Sequence, residues 1–129
     1  MAENKIPQPT PAELAILQVL WKLQPATVRA IHEAVSQERP SAYTTTLKFL
    51  QIMLEKKLVE RDESQRSHTY RAVYSEEEIQ RVMAGDLLQR VFKGSAAALV
   101  MQALGGRKAS RKELEGIRGF LDEMDRKRK

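Results

Sequence analysis

The sequence predicts a mainly α chain with one small β-hairpin: a winged helix–turn–helix unit over residues 1–74 and a three-helix dimerisation region over 75–129. Three observations carry this reading. Three segments with helical apolar spacing fill residues 10–57. Two short alternating runs around a polar turn follow at 58–73. Helical spacing then resumes at Ser75 and holds to the end.

Each element has its own signal. Residues 1–9 are polar, with Pro7 and Pro9, and read as a loose arm. Thr10, Pro11 and Glu13 form a capping box with proline at the first helical position. Leu14, Leu17, Leu20 and Trp21 follow at helical spacing, Trp21 as a core residue, and Pro25 ends the helix. Pro25 to Thr27 reads as a short connection. Thr27 caps helix two, whose apolar positions are Val28, Ile31, Ala34 and Val35. Arg39 and Pro40 break it. Ser41 is the expected cap of helix three, about Ala42 to Lys57, with Leu47, Leu50 and Leu54 as its buried stripe and Thr46 and Met53 beside it. Leu58–Arg61 and His68–Val73 read as strands around a turn at 62–67. Ser75 with Glu78 opens a helix that Gly94 stops. Ser95 caps a short apolar helix, Ala96–Leu104, that Gly105 and Gly106 end. Ser110 with Glu113 opens the last.

The whole-chain numbers set bounds. Two halves of a 129-residue chain each lie near the lower limit for a self-sufficient core. The apolar faces after residue 75 exceed what about 55 residues bury alone. A two-fold interface between copies is therefore expected, carried by Leu88, Val91, Leu99, Val100, Leu104, Ile117, Phe120 and Leu121. The alternative is a monomer whose C-terminal helices fold back on residues 1–74. The net charge of +5 suits a polyanionic partner but is weak evidence alone. Residues 1–74 are net +2; the second half owes its excess to the last four residues, which suit a frayed solvated end.

Residues that carry chemistry are few. With no cysteine, disulfides, thiolate catalysis and cysteine-based metal sites are excluded. His32 and His68 lack metal-ligand spacing; His32 with Glu33 reads as surface. Glu76, Glu77 and Glu78 suit a helix N-terminus for its dipole. No phosphate loop or nucleophile triad is present, so neither an enzyme nor a cofactor is expected. No apolar run reaches the roughly 18 residues of a membrane helix and the N-terminus lacks a signal-like core, so a cytoplasmic location without membrane insertion is expected.

The order helix, helix, helix, hairpin puts helix three in a DNA major groove and the hairpin on flanking phosphates. Helical periodicity turns Thr44, Thr45 and Lys48 away from the leucine stripe, toward base edges. Tyr43 either reaches a phosphate or packs on helix two. Lys56, Lys57, Arg61, Arg66 and Arg71 are the expected phosphate partners. The competing reading is a winged module that binds protein rather than DNA. Ile52, an exposed Phe49 and the modest charge of the first half favour it.

Ala42-Tyr43-Thr44-Thr45-Thr46-Leu47, Leu50-Gln51 and Glu55-Lys56-Lys57-Leu58-Val59 resemble the recognition helix of the penicillinase-repressor family, the BlaI/MecI-type repressors. Glu13-Leu14, Leu20-Trp21 and Pro25-Ala26-Thr27-Val28 match its first helices, and Arg66 and Tyr70 its wing. Phe92-Lys93-Gly94-Ser95 with Leu99-Val100, and Glu113-Leu114-Glu115 to Leu121, match its later segments. The resemblance spans about Thr10 to Asp125. It implies a homodimer on an inverted-repeat operator in double-stranded DNA, released when a membrane-bound sensor peptidase triggers cleavage in the dimerisation region.

Three departures bear on those expectations. Ile52 stands where the family commonly has arginine. Lys57 stands where it usually has glycine, so helix three is expected to end differently, because a left-handed non-glycine residue costs about 1 kcal/mol. The family's scissile Asn-Phe pair falls on Gln102-Ala103, so induction by that cleavage is not supported, and the C-terminal cysteines of the copper-responsive branch are missing.

Overall fold

The computed structural model describes residues 5–106 and 108–128 and divides into two units, Met1–Gly85 and Asp86–Lys129. In the first unit, α1 (Pro11–Leu23) starts on the expected capping box. Thr10 Oγ1 accepts from the Glu13 N–H at 3.2 Å, and the Glu13 carboxylate accepts from the Thr10 N–H at 3.0 Å. Ile16, Leu17 and Leu20 form its buried stripe. The helix stops at Leu23 because Gln24, before Pro25, is extended.

Ala26–Thr27 is a two-residue strand, β1, rather than a bare connection. Sequence alternation needs more than two residues to register, so this element was invisible there. Thr27 then caps α2 (Val28–Glu38), accepting from the Ala30 N–H at 3.2 Å. β2 (Val59–Asp62) and β3 (Thr69–Ala72) form the hairpin, each one residue away from its expected start. The antiparallel sheet has the order β1-β3-β2. Its register sets Ala26 and Arg61 opposite Tyr70, and Glu60 opposite Arg71. The period of two puts Val59, Arg61, Tyr70 and Ala72 on one face and Glu60, Asp62, Thr69 and Arg71 on the other. Tyr70 and Val59 are buried, so the first face meets the core.

α3 (Tyr43–Glu55) differs from expectation in phase and at both ends. Thr46, Leu50 and Met53 are its buried residues, while Leu47 and Leu54 flank them half-buried. Tertiary packing has turned the helix by about one position relative to the leucine stripe, because Met53 fills the core as well as a leucine does. Phe49, expected to be exposed, packs on the core. Ala42, not Ser41, is the N-cap, and no side chain caps the helix.

At the other end Lys57 is left-handed, with φ 65°. The Leu58 N–H donates to the Met53 carbonyl at 2.9 Å and the Lys57 N–H to the Leu54 carbonyl at 3.1 Å. This is the paired ending that glycine usually closes. The expectation of a different ending fails: two backbone hydrogen bonds and the burial of Leu58 hold lysine in the left-handed region.

α4 (Glu76–Arg90) opens on a capping box, with Ser75 N–H to Glu78 Oε1 at 2.8 Å and Glu78 N–H to Ser75 Oγ at 3.1 Å. Ile79 is buried in the core of the first unit and Met83 packs on it. Trp21, half-buried against the same core, donates its Nε1–H to the Tyr74 carbonyl at 3.0 Å. The first compact unit therefore runs past the expected boundary at residue 74 and reaches Gly85.

The second unit holds the end of α4, then α5 (Ala96–Gly105) and α6 (Arg111–Lys127). Lys93 and Gly94 turn the chain with φ 53° and 86°. Ser95 and Ser110 cap the two helices, accepting from Ala98 N–H at 3.1 Å and Glu113 N–H at 3.0 Å. Gly105 stays inside α5, and its cap Gly106 has φ −84°, so neither glycine supplies a left-handed stop. Neither α5 nor α6 has a buried residue.

Candidate nucleic-acid interface

The buried positions of α3 fix which way its other side chains point. At about 100° per residue, the direction opposite Thr46, Leu50 and Met53 is occupied by Thr44, Lys48, Gln51 and Glu55, each within about 50° of it. All four are exposed. Thr45 is also exposed, but it lies about 75° from that direction, on the flank shared with half-buried Ile52. Thr44 and Lys48, expected on the exposed surface of this helix, lie on its outward row, and Gln51 lies there with them. A buried face centred on Leu47, Leu50 and Leu54 would instead turn the outward direction toward Thr45.

Helix α2 braces α3 from behind. His32 Nδ1 lies 3.1 Å from Thr46 Oγ1 and 3.3 Å from Ser36 Oγ. The Tyr43 ring meets the His32 ring edge-on, with centroids 5.6 Å apart. Tyr43 thus packs on helix two while keeping 46% of its surface exposed, so both roles considered for it are geometrically open. His32, expected at the surface, is half-buried because it satisfies buried Thr46. Serine or threonine side chains cap the other five helices, whereas the first N–H groups of α3 have no such acceptor. An uncapped N-terminus of this kind accommodates an anion.

The expected phosphate partners divide. Lys56 is redirected: its Nζ lies 2.8 and 3.0 Å from the two carboxylate oxygens of buried Glu13. An ammonium held this way neutralises a buried charge instead of reaching outward. Lys57 is exposed at the end of α3. Arg61 pairs with Glu63, its Nε 2.7 Å from Oε2. A hydrogen bond with the Tyr70 side chain, then Glu63, raises its pKa above the ordinary arginine value. Arg66, in the turn, and Arg71, on the outer face of β3, are exposed. The wing is not a simple basic patch, because Glu60, Asp62 and Glu63 equal Arg61, Arg66 and Arg71 in number. Asp62 shapes the turn by accepting from the Ser64 N–H at 2.9 Å. That hydrogen bond, then the Ser64 side chain, then Arg71 and His68, lower its pKa.

The residues expected at a dimer interface lie on the second unit. Val91, Val100, Phe120 and Leu121 are exposed, and Leu88, Leu99, Leu104 and Ile117 are half-buried. Met101, at 72% exposure, and Met124, at 51%, add to this apolar surface. Among the described residues no group of His, Asp or Glu could hold a metal ion, and no helix is long and apolar enough to cross a membrane.

Three helices, a short β1 completing a three-stranded wing, and an outward polar face on the third helix define a winged helix–turn–helix protein. Residues 9–123 match the penicillinase repressor family, and the chain belongs to it. Mycobacterium tuberculosis has a relative, transcriptional regulator BlaI, 32% identical over 115 residues, covering 88% of this chain and 82% of that protein. The methicillin resistance regulatory protein MecI of Mammaliicoccus sciuri is 21% identical over 120 residues, covering 93% of this chain and 98% of that protein. A solved MarR family transcription regulator aligns with a TM-score of 0.49 at 21% identity, over 91% of this chain and 75% of that one.

Proposed function

We propose that this protein is a dimeric transcriptional repressor that binds an inverted-repeat operator in double-stranded DNA. The observation that carries the reading is the outward face of α3, where exposed Thr44, Lys48 and Gln51 lie, with exposed Thr45 on its flank, on the element that a winged helix inserts into the major groove. Names of relatives point the same way: BlaI is called a transcriptional regulator and MecI a regulatory protein. Tyr43, Lys57, Arg66 and Arg71 are the phosphate contacts of this reading. The apolar surface of α5 and α6 is where a second copy joins, so that two α3 helices meet two half-sites. Release by a sensor peptidase rests on resemblance alone. Gln102 and Ala103, at the family's cleavage pair, are exposed within α5 and carry neither of its residues.

Mobility shift with the promoter of the protein's own gene at two salt concentrations tests the proposal. A repressor loses affinity steeply with salt, with a slope of about 0.9 per neutralised phosphate, and keeps its site preference. Thr45→Ala reduces the preference between sites, whereas Arg66→Ala weakens all sites alike. The balanced charge of the wing suits a second reading, a winged module that binds protein; shallow salt dependence without site preference would favour it.

A further inference from the structure

Gln51 has the position and the chemistry of a base reader. It lies on the outward row of α3 with Thr44 and Lys48, seven residues and about 10 Å along the helix from Thr44. That distance covers roughly three base-pair steps at 3.4 Å each. Within the row the side chains differ in what they can recognise. A threonine hydroxyl is a single group that satisfies several bases, and Lys48 is a point donor. The Gln51 amide presents a donor and an acceptor side by side, the pattern that matches adenine N7 and N6 in the major groove. The next residue of the row, Glu55, is an exposed carboxylate at the last position of α3, and an acceptor-only group does not match adenine N6 and N7 together.

We infer that Gln51 reads an adenine in each half-site and determines specificity there, ahead of Thr45, which sits on the flank. This rests on the repressor reading above. The test is a set of half-sites in which every position is substituted in turn, with dissociation constants measured for the intact chain, Q51A, Q51E and T45A. The intact chain prefers adenine at one position by about 5- to 150-fold. Q51A flattens that position and leaves the ratios elsewhere within about two-fold. Q51E, an acceptor only, moves the preference at that position to cytosine, whose N4 donates. Such a gained preference cannot come from misfolding. If the intact chain discriminates sites but Q51A and Q51E keep every positional ratio, or T45A removes the adenine preference, the assignment to Gln51 is wrong and the repressor reading stands. If the intact chain prefers no site, both fall together.

Discussion

Lys56 Nζ bridges both carboxylate oxygens of Glu13, at 2.8 and 3.0 Å, and so ties the end of α3 to the first turn of α1. The same carboxylate closes the capping box through the Thr10 N–H. Glu13 is 2% exposed, whereas the Lys56 side chain remains one-third exposed, so water moderates the pair without replacing it. Lys56→Ala leaves a buried carboxylate short of its partner and is expected to cost about 1–3 kcal/mol, read from urea unfolding. The salt slope of DNA binding is expected to stay unchanged in this variant, while Arg66→Ala lowers it by about 0.9. Equal drops in the two variants would return Lys56 to the phosphate contacts.

Lys57 holds the left-handed turn after α3 at φ 65°. Lys57→Gly removes the steric cost at that position and is expected to stabilise the fold by up to about 1 kcal/mol, raising the melting temperature. A β-branched residue there lowers it. An unchanged melting temperature in Lys57→Gly would mean that the greater freedom of glycine in the unfolded chain cancels the relief.

The Asp62 carboxylate is held below its ordinary pKa by the Ser64 N–H, then by the Ser64 side chain, with Arg71 and His68 adding charge. A depressed folded-state pKa stabilises the fold above the ordinary aspartate value of about 3.9 and loses that contribution as the pH falls through the folded pKa. Carboxyl resonances recorded against pH are therefore expected to place the Asp62 midpoint below 3.9, with the wing turn loosening only under acid conditions. A midpoint at or above the ordinary value would contradict the turn geometry.

Ile79 is 1% exposed in a core that Trp21 also meets. Ile79→Ala is expected to cost about 2–5 kcal/mol in denaturant unfolding. A fragment ending at residue 74 would lose this side chain and is expected to be less stable than one ending at Gly85. Equal stability of the two fragments would place the functional boundary back at 74.

Phe120 is 64% exposed on α6 beside Leu121 and Met124. Under the proposed assembly, Phe120→Glu puts a charge into the interface and is expected to shift the protein toward monomer by sedimentation equilibrium. An unaltered association state would move the interface elsewhere on the second unit.

Much of the fold was legible because it is written in local signals. Thr10, Thr27, Ser75, Ser95 and Ser110 each cap the helix that the sequence assigns to them, since a cap depends on residues within one turn. Ser41 failed because Ala42 occupies the cap position, and the hydroxyl one residue earlier does not reach the amides. The outward row of α3 was read only in part. Thr44 and Lys48 lie on it, but Gln51 depended on knowing that Thr46 and Met53 face the core more squarely than Leu47 and Leu54 do.

The amino-acid order alone settled the succession of helices and the hairpin, the lack of thiol chemistry, and the family, because these follow from spacing, composition and motif order. Only the folded chain decided the rotation of α3, the strand at Ala26–Thr27, the capture of Lys56 by Glu13 and the reach of the first unit to Gly85. Each of these joins residues far apart in the chain, and the energy that selects it comes from burial and pairing with partners that no local window contains.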